Sequence, residues 1–405
     1  KGMKFSTAYV SCVCSPTRAS IMTGKYPERI GITNWIPGGV ARYKNPKLIE
    51  KPFQQFLPDS EVTIAEALKK GGYQTAMVGK WHLGTNLKYM PDKQGFDYQY
   101  MISPANPTTY FVEEDSLQTK GFYNEDAPGR EFLTDHLADK AIEWLKQPKT
   151  KPWFMYFATY AVHMPIEAKD SLIQKYLKMG LPKEGVDAAK YAAMHEHMDE
   201  AVGRLLNYLD VNGLRKNTLI VFLSDNGGRE PETVNTPFRG GKGELLEGGL
   251  RVPLIFEWDG KIAAGTTNKT PVAEYDLFPT LLDMVGVAKP AHPKFDGISI
   301  KNILLNKNPE NKLANRTFYW NYPHYTGKPY GKPSSAIVKG NWKLIQFYED
   351  SSKQLYNLKT DIGEKNNLIA KYPKNAEELN QELDDCLKEV NAEIPDKNPN
   401  YNPSL

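Results

Sequence analysis

Residues 11–24 read SCVCSPTRASIMTG and place two of the chain's three cysteines beside an arginine. Ser15 suits a helix N-cap, Pro16 the first helical position and Gly24 a C-terminal stop, so the stretch predicts a short helix with Cys14 just ahead of it. Backbone N–H groups at a helix start attract anions and lower a thiol's pKa. Arg18 sits one turn in, on the side that can face back toward Cys14. A reactive sulfur, a helix N-terminus and a fixed cation then converge on one point. The plainer reading is a small buried hydrophobe ahead of an ordinary helix, and this stretch alone supports both.

Three apolar runs that read as strands end in further polar residues, and ligands gather at strand carboxyl ends in parallel α/β sheets. QTAMV leads into Gly79-Lys80-Trp81-His82, where Lys80 and His82 point the same way if the chain stays extended. WFMYFATY leads to His163, and TLIVFL to Ser224-Asp225-Asn226-Gly227-Gly228. The Asp225/Asn226 oxygen pair suits a hard cation, Ca²⁺ or Mg²⁺. A fourth segment, RGGKGELLEGG, carries Lys242 among glycines ahead of a strand. Each has a structural reading too: Lys80 as a surface charge, His163 as a hydrogen-bonded core histidine, Asn226-Gly227 as a turn. Their gathering at one predicted sheet edge with Cys14 and Arg18 points instead to a site. It offers a nucleophile, cations for an anionic group, histidines for proton transfer and half a metal site. Other candidates fail this test. His195 and His197, at i and i+2 of a helix, face different ways. His136 reads as solvated on a surface helix, and Cys386 as a small core residue.

Short apolar runs alternating with helical stretches (63–73, 138–147, 191–209, 274–286) predict an α/β fold. Its sheet should be large, mixed and mostly parallel, with helices on its faces. From about residue 290, TFYW, SSAIVKG and NWKLIQFYED read as antiparallel strands with a turn at Lys339-Gly340-Asn341, followed by a helix over 375–390. Residues 1–288 and 289–405 are therefore expected to form a larger catalytic unit and a smaller C-terminal α+β unit. The stretch 85–130 lacks periodicity and reads as a substrate-facing insertion. A net charge of +3 with no long basic run gives no electrostatic case for nucleic acid. No run of about 18 apolar residues exists to span a membrane. Three cysteines are too few for a disulfide framework. The opening KGMKFSTAYV runs straight into a strand without a leading methionine, so Lys1 is expected to be an interior cut.

Cys14-Ser15-Pro16-Thr17-Arg18, with Thr23-Gly24 closing the segment, resembles the Cys-x-Pro-x-Arg signature of type I sulfatases. GKWHLG at 79–84 is similar to that family's second signature, and SDNGG, RGGKG and DLFPTLL follow in its order. The C-terminal segments YWNYPHY, AIVKGNWKLI and LYNL look most like sulfatases of polysaccharide-degrading, Bacteroides-type bacteria. The resemblance spans essentially the whole chain and implies an alkaline-phosphatase-like fold.

It further implies that Cys14 is oxidised to formylglycine (3-oxoalanine) by a formylglycine-generating or anaerobic maturation enzyme, which also needs Pro16 and Arg18. The hydrated aldehyde would be the nucleophile, held by Arg18. Lys80 and Lys242 would bind the sulfate oxygens, and His82 would assist breakdown of the sulfated hemiacetal. His163, with Lys242, would protonate or polarise the leaving oxygen. Asp225, Asn226 and the modified Cys14 would ligate Ca²⁺, with Mg²⁺ as a substitute, and His324 would recognise sugar. A sulfated carbohydrate would be the substrate, with galactose or N-acetylgalactosamine 4-sulfate as the expected type, and the compartment periplasmic or secreted. The family's first strand, with an Asp-Asp pair that completes the metal site, is expected upstream of Lys1. Two alternatives remain open at this point. One is a phosphonate or phosphodiester hydrolase of the same superfamily. The other is a silent sugar-binding relative, should the chain truly start at Lys1.

Overall fold

The strand Gln74–Gly79 sets the frame for the site. Its side chains alternate between two cores, Ala76 and Val78 facing one and Met77 the other, with all three fully buried. Burial on both faces marks a central parallel strand. It pairs in parallel with Tyr98–Tyr100 on one side and Trp153–Ala158 on the other. The computed structural model describes the chain except residues 39–43, 113–130, 183–186, 292–293, 308–312, 329–330 and 404–405. Most of the expected insertion at 85–130 beyond residue 112 thus lies outside the described residues.

Among the described residues the mixed sheet is broken into separate hydrogen-bonded pieces rather than one ribbon. The second piece orders its strands Thr266–Asn268, Met3–Phe5, Leu254–Glu257 and Ile220–Leu223. Only the first pair there is parallel, while the other two are antiparallel. The reason lies in the connection between Ile220–Leu223 and Leu254–Glu257. It contains only the one-turn helix Glu247–Leu250, which cannot act as a crossover that returns the chain parallel.

Helices cover both faces. Leu133–Lys146 and Ala188–Val211 pack through Leu137, Ala141, Ala193 and Leu205 on the Ala76/Val78 side. The first starts five residues ahead of the segment expected from periodicity. Cys14–Thr23, Ile64–Lys70 and Leu277–Val285 pack through Met22, Leu68 and Phe278 on the Met77 side. Thr63 and Glu66 form a capping box at the start of Ile64–Lys70. The C-terminal strands Thr317–Tyr322, Ser334–Lys339, Trp342–Phe347 and Lys353–Asn357 form an antiparallel meander. Gly340, at φ 59°, supplies the left-handed turn residue that the Lys339-Gly340-Asn341 sequence predicts. Leu379, Leu383 and Leu387 of the helix Pro373–Glu389 lie on this sheet against Ile337, Leu344 and Leu355.

Two local expectations are corrected. Ser15 is not the N-cap: Val13 takes that position without a side-chain bond, and the helix already includes Cys14. Ser15 Oγ instead accepts the Ile36 N–H at 3.0 Å, which ties the helix to a following loop. His136 is not solvated but 5% exposed, because its ring bonds to Tyr100 Oη at 2.7 Å and to Glu131. Cys386 is a buried free thiol, as expected. His195 faces solvent while His197 is buried on Asp135, so the two diverge.

Candidate active site

Cys14 begins its helix with its side chain buried, and its Sγ lies 3.1 Å from His82 Nδ1. His82 reaches it because the chain leaves the strand abruptly. Gly79 has φ 109°, and a Cβ there would fall 2.0 Å from the Ala158 carbonyl oxygen, so only glycine fits. His82 itself has φ 63°, so Lys80 and His82 do not project from an extended strand as the sequence suggests. The bend still brings both to one place.

Arg18 is the hub. Its Nε and Nη2 donate to Asp225 Oδ2 at 2.9 and 2.7 Å, and its Nη1 donates to the Lys80 carbonyl at 2.7 Å. Nη1 also reaches Tyr156 Oη at 3.3 Å. One guanidinium therefore joins the ends of two strands to the middle of a third, a use of its planar donors that lysine cannot reproduce. Lys80 Nζ donates to Asn106 Oδ1 at 2.8 Å.

The Lys242 segment is tied to the same point through its backbone. Lys242 N–H donates to the Gly228 carbonyl at 3.0 Å, and Gly243 N–H to the Cys12 carbonyl at 2.8 Å. A Cβ at Gly227 would lie 1.8 Å from the Gly248 carbonyl oxygen, so the Gly-rich segments interlock at backbone distance.

The electrostatics follow from three cations in a closed space. Burial lowers the Lys80 ammonium to about 8, with Cys14 opposing and Arg18 adding to the shift. Burial, Lys80 and Arg18 push His82 well below the usual imidazole range. Burial, Lys242 and Lys80 bring His163 down to about 2. Burial favours the neutral acid at Asp225, but Arg18, Lys80 and Lys242 outweigh it and hold that carboxyl well below the usual range. Two neutral imidazoles beside a positive field suit a site that binds an anion and moves protons.

A hard cation would meet two oxygens here. Asn226 Oδ1 is buried and has no hydrogen-bond partner among the described residues, while its Nδ2 is turned to the Gly227 carbonyl. Arg18 occupies only Oδ2 of Asp225. No cluster of three or more His, Cys, Asp or Glu ligands occurs among the described residues. The donor chemistry thus fits one side of an oxygen shell that normally holds six or more ligands.

Of the residues singled out from sequence, Cys14, Arg18, Lys80, His82 and Asp225 meet directly or through one partner. His163 and Lys242 face the same charges, and Asn226 adjoins Asp225. His324 is a correction. It is 1% exposed, with Nδ1 on Glu50 Oε2 at 3.0 Å and Nε2 on Thr33 Oγ1 at 2.9 Å, so no ring nitrogen is left for a sugar. Asn106 and Tyr156 were missed. Tyr156 sits in an apolar run that reads as core, and Asn106 in a stretch without periodicity.

A family model described as Sulfatase matches residues 1–287. A second, described as N-sulphoglucosamine sulphohydrolase, C-terminal, matches residues 241–393. The chain is 31% identical to a Sulfatase of Formosa agariphila, over 96% of this chain and 80% of that protein. It is 30% identical to an N-acetylgalactosamine-6-sulfatase of Rattus norvegicus, over 75% of this chain and 59% of that one. The crystal structure of Ps i-CgsB in complex with k-i-k-neocarrahexaose aligns with a TM-score of 0.79 at 28% identity, covering 95% of this chain and 84% of that one. No described helix is long and apolar enough to cross a membrane.

Proposed function

Since the chain belongs to the sulfatase family, and so is a sulfuric ester hydrolase, we propose that it cleaves a carbohydrate sulfate ester through Cys14 in its formylglycine form. The observation that carries this reading is the contact of Cys14 with His82, beside the Arg18–Asp225 pair and two further lysines. Hydrated, the aldehyde supplies a geminal diol, one oxygen of which displaces the sugar alcohol from sulfur while the other later expels sulfate. Arg18 orients the Cys14 side chain through the fixed geometry it shares with Asp225 and the Lys80 carbonyl. Lys80 and Lys242 hold sulfate oxygens. His82 takes the proton from the hydroxyl that expels sulfate, and His163, protonated once the bound sulfate offsets the lysines around it, delivers one to the departing sugar oxygen. Asp225 and Asn226 would hold a calcium ion, which supplies Lewis-acid polarisation of the sulfate.

The sugar is read as a galactose or N-acetylgalactosamine sulfate, in line with the substrate in the rat relative's name. Maturation would require an enzyme that oxidises Cys14, and the expected compartment is periplasmic or secreted. We assign residues 1–288 to the catalytic unit and 289–405 to the C-terminal unit.

The test is a tryptic mass spectrum of the peptide FSTAYVSCVCSPTR with a parallel assay of sulfate release. Aldehyde at Cys14 together with sulfate release from a sulfated sugar supports the proposal. A thiol at Cys14 in protein that releases sulfate at full rate overturns the role given to it.

A further inference from the structure

His163 stands in a loop, beyond the end of its strand, yet a proton donor must hold its ring still against the substrate. Its backbone is fixed on both sides. The His163 N–H donates to the Tyr160 carbonyl at 2.9 Å. The His163 carbonyl accepts the Tyr110 hydroxyl at 3.0 Å. Because peptide units are planar, these two bonds set the torsions about the His163 Cα and the direction in which its Cβ points. Only the ring torsions remain, and Nδ1 settles them on the Met164 carbonyl at 3.1 Å. That carbonyl is carried on the next peptide along, so a tilt of the plane that Tyr110 holds would move it.

Tyr110 is fully buried and is itself held firmly. Its ring stacks on Phe132 with centroids 5.6 Å apart, and Phe132 stacks in turn on His197 at 4.2 Å. Its N–H donates to Glu167 Oε2 at 2.6 Å, and its carbonyl accepts the Leu133 N–H at 2.7 Å. The same Glu167 oxygen takes the Thr109 hydroxyl. Glu167 follows His163 in one loop, so that loop grips Thr109-Tyr110 through both residues. Tyr160 ties the two loops again, its hydroxyl bonding to the Ser103 carbonyl and accepting the Ser103 N–H at 3.1 Å. Packing alone would be served by a phenylalanine at 110. The hydroxyl in this apolar cluster is accounted for by its bond to His163. Burial raises the phenol well above the usual tyrosine range, so it stays a donor.

We propose that Tyr110 is a positioning residue for His163, its hydroxyl setting the peptide from which the imidazole is aimed at the departing oxygen. The inference rests on the leaving-group role given to His163 above and adds a residue that touches neither substrate nor sulfate. The loop that carries Tyr110 also carries Asn106, which takes Lys80 Nζ at 2.8 Å. One segment thereby spaces the sulfate-binding lysine from the proton donor. The consequence is selective. Losing the hydroxyl loosens the proton donor while the nucleophile and the sulfate contacts stay in place. Its cost therefore appears only where departure needs a proton.

The experiment uses the full chain with its matured Cys14 and compares Tyr110→Phe, His163→Gln and the double variant with the parent protein. It measures kcat/KM on 4-nitrophenyl sulfate and on phenyl sulfate, whose phenolate leaves far less readily. Tyr110→Phe should lower kcat/KM on phenyl sulfate about tenfold, the scale of one lost hydrogen bond. On 4-nitrophenyl sulfate it should change kcat/KM by no more than about twofold, since that leaving group needs little protonation. Added to His163→Gln, Tyr110→Phe should cost nothing further on either substrate, because the group it positions is gone. Three results overturn the positioning role while His163→Gln itself remains selective for the poorer leaving group. They are an equal loss on both substrates, an unchanged rate on phenyl sulfate, or a further loss in the double variant. Equal losses in His163→Gln overturn the leaving-group role of His163 and the inference with it. Absence of turnover on both substrates in the parent overturns the sulfatase reading as well.

Discussion

Lys343 of the C-terminal sheet and Glu247 of the segment behind Lys242 form an ion pair at 3.0 Å with neither side chain exposed. Lys343 also lies 2.9 Å from Glu364, which is equally buried and accepts the Glu247 N–H at 2.7 Å. Tyr9 Oη donates to Glu247 at 3.2 Å. The C-terminal sheet thus anchors the Gly-rich segment through charges that water does not reach. Lys343→Met should cost about 3–5 kcal/mol, because it leaves buried carboxylates uncompensated. The sign with pH is fixed. Glu364 is already raised to about 7 by burial, and losing Lys343 raises it further. A carboxyl whose folded pKa is raised destabilises above its unfolded pKa, so the penalty should grow from pH 5 to pH 8. Urea unfolding of both proteins at the two pH values checks this, and a pH-independent penalty would contradict it.

The Arg18–Asp225 contact predicts an unforgiving arginine. Arg18→Lys keeps the charge but loses the paired donors to Asp225 Oδ2 and the reach to the Lys80 carbonyl. Turnover of 4-nitrophenyl sulfate should fall about 10²–10³-fold, as when a preorganised donor is removed from an active site. Asp225→Asn should also weaken calcium affinity, measured by titration after chelation. Activity within a factor of a few of the parent in Arg18→Lys would show that charge alone suffices.

The sequence made some of this site legible for a definite reason. Gln74–Gly79 has the alternation of a buried strand, so Lys80 and His82 had to emerge at a sheet edge, and Cys14 with Arg18 share one helix turn. The partners supplied by tertiary contact were hidden. Asn106 gains its role only through Lys80, and Tyr156 only because one face of its strand meets Arg18. His324 misled because its partners Glu50 and Thr33 lie 274 and 291 residues away in the chain. The antiparallel return of Leu254–Glu257 was equally hidden, since it depends on a long connection whose fold is set by glycine contacts rather than periodicity.

His163 should matter in proportion to the leaving group. Without substrate its ring is neutral, since burial and the nearby lysines bring its pKa down to about 2, and the negative charge of a bound sulfate lets it take up the proton it then delivers. Its Nδ1 sits 3.1 Å from the Met164 carbonyl, which leaves Nε2 for the substrate. A sugar alkoxide needs a proton far more than 4-nitrophenolate does. His163→Gln should therefore lower kcat/KM on a sulfated sugar about 10²–10⁴-fold and on 4-nitrophenyl sulfate much less. Equal losses on both would mean that His163 binds the sulfate or positions Lys242 instead of assisting departure.

Glu274 should make the fold pH-sensitive without entering the chemistry. It lines a cavity of about 20 Å³ with Ser11 and Glu28, room for one water. Its Oε1 takes the Ser11 hydroxyl at 3.1 Å, while Oε2 is buried with no partner among the described residues. Burial raises this carboxyl from 4.5 to about 8. The folded state therefore holds a proton that the unfolded state releases above pH 4.5, and folding stability declines as pH rises from there toward about 8. The slope from one such group is about 1.4 kcal/mol per pH unit, and Glu28, raised to about 7, adds to it over part of the range. Glu274→Gln carries no proton to lose, so its stability should fall less steeply between pH 5 and 8 and should exceed the parent's most at the alkaline end. Urea unfolding at half-unit intervals measures both slopes. Identical slopes would mean that Glu274 is ionised in the folded protein, with its charge balanced by something other than the residues that line the cavity.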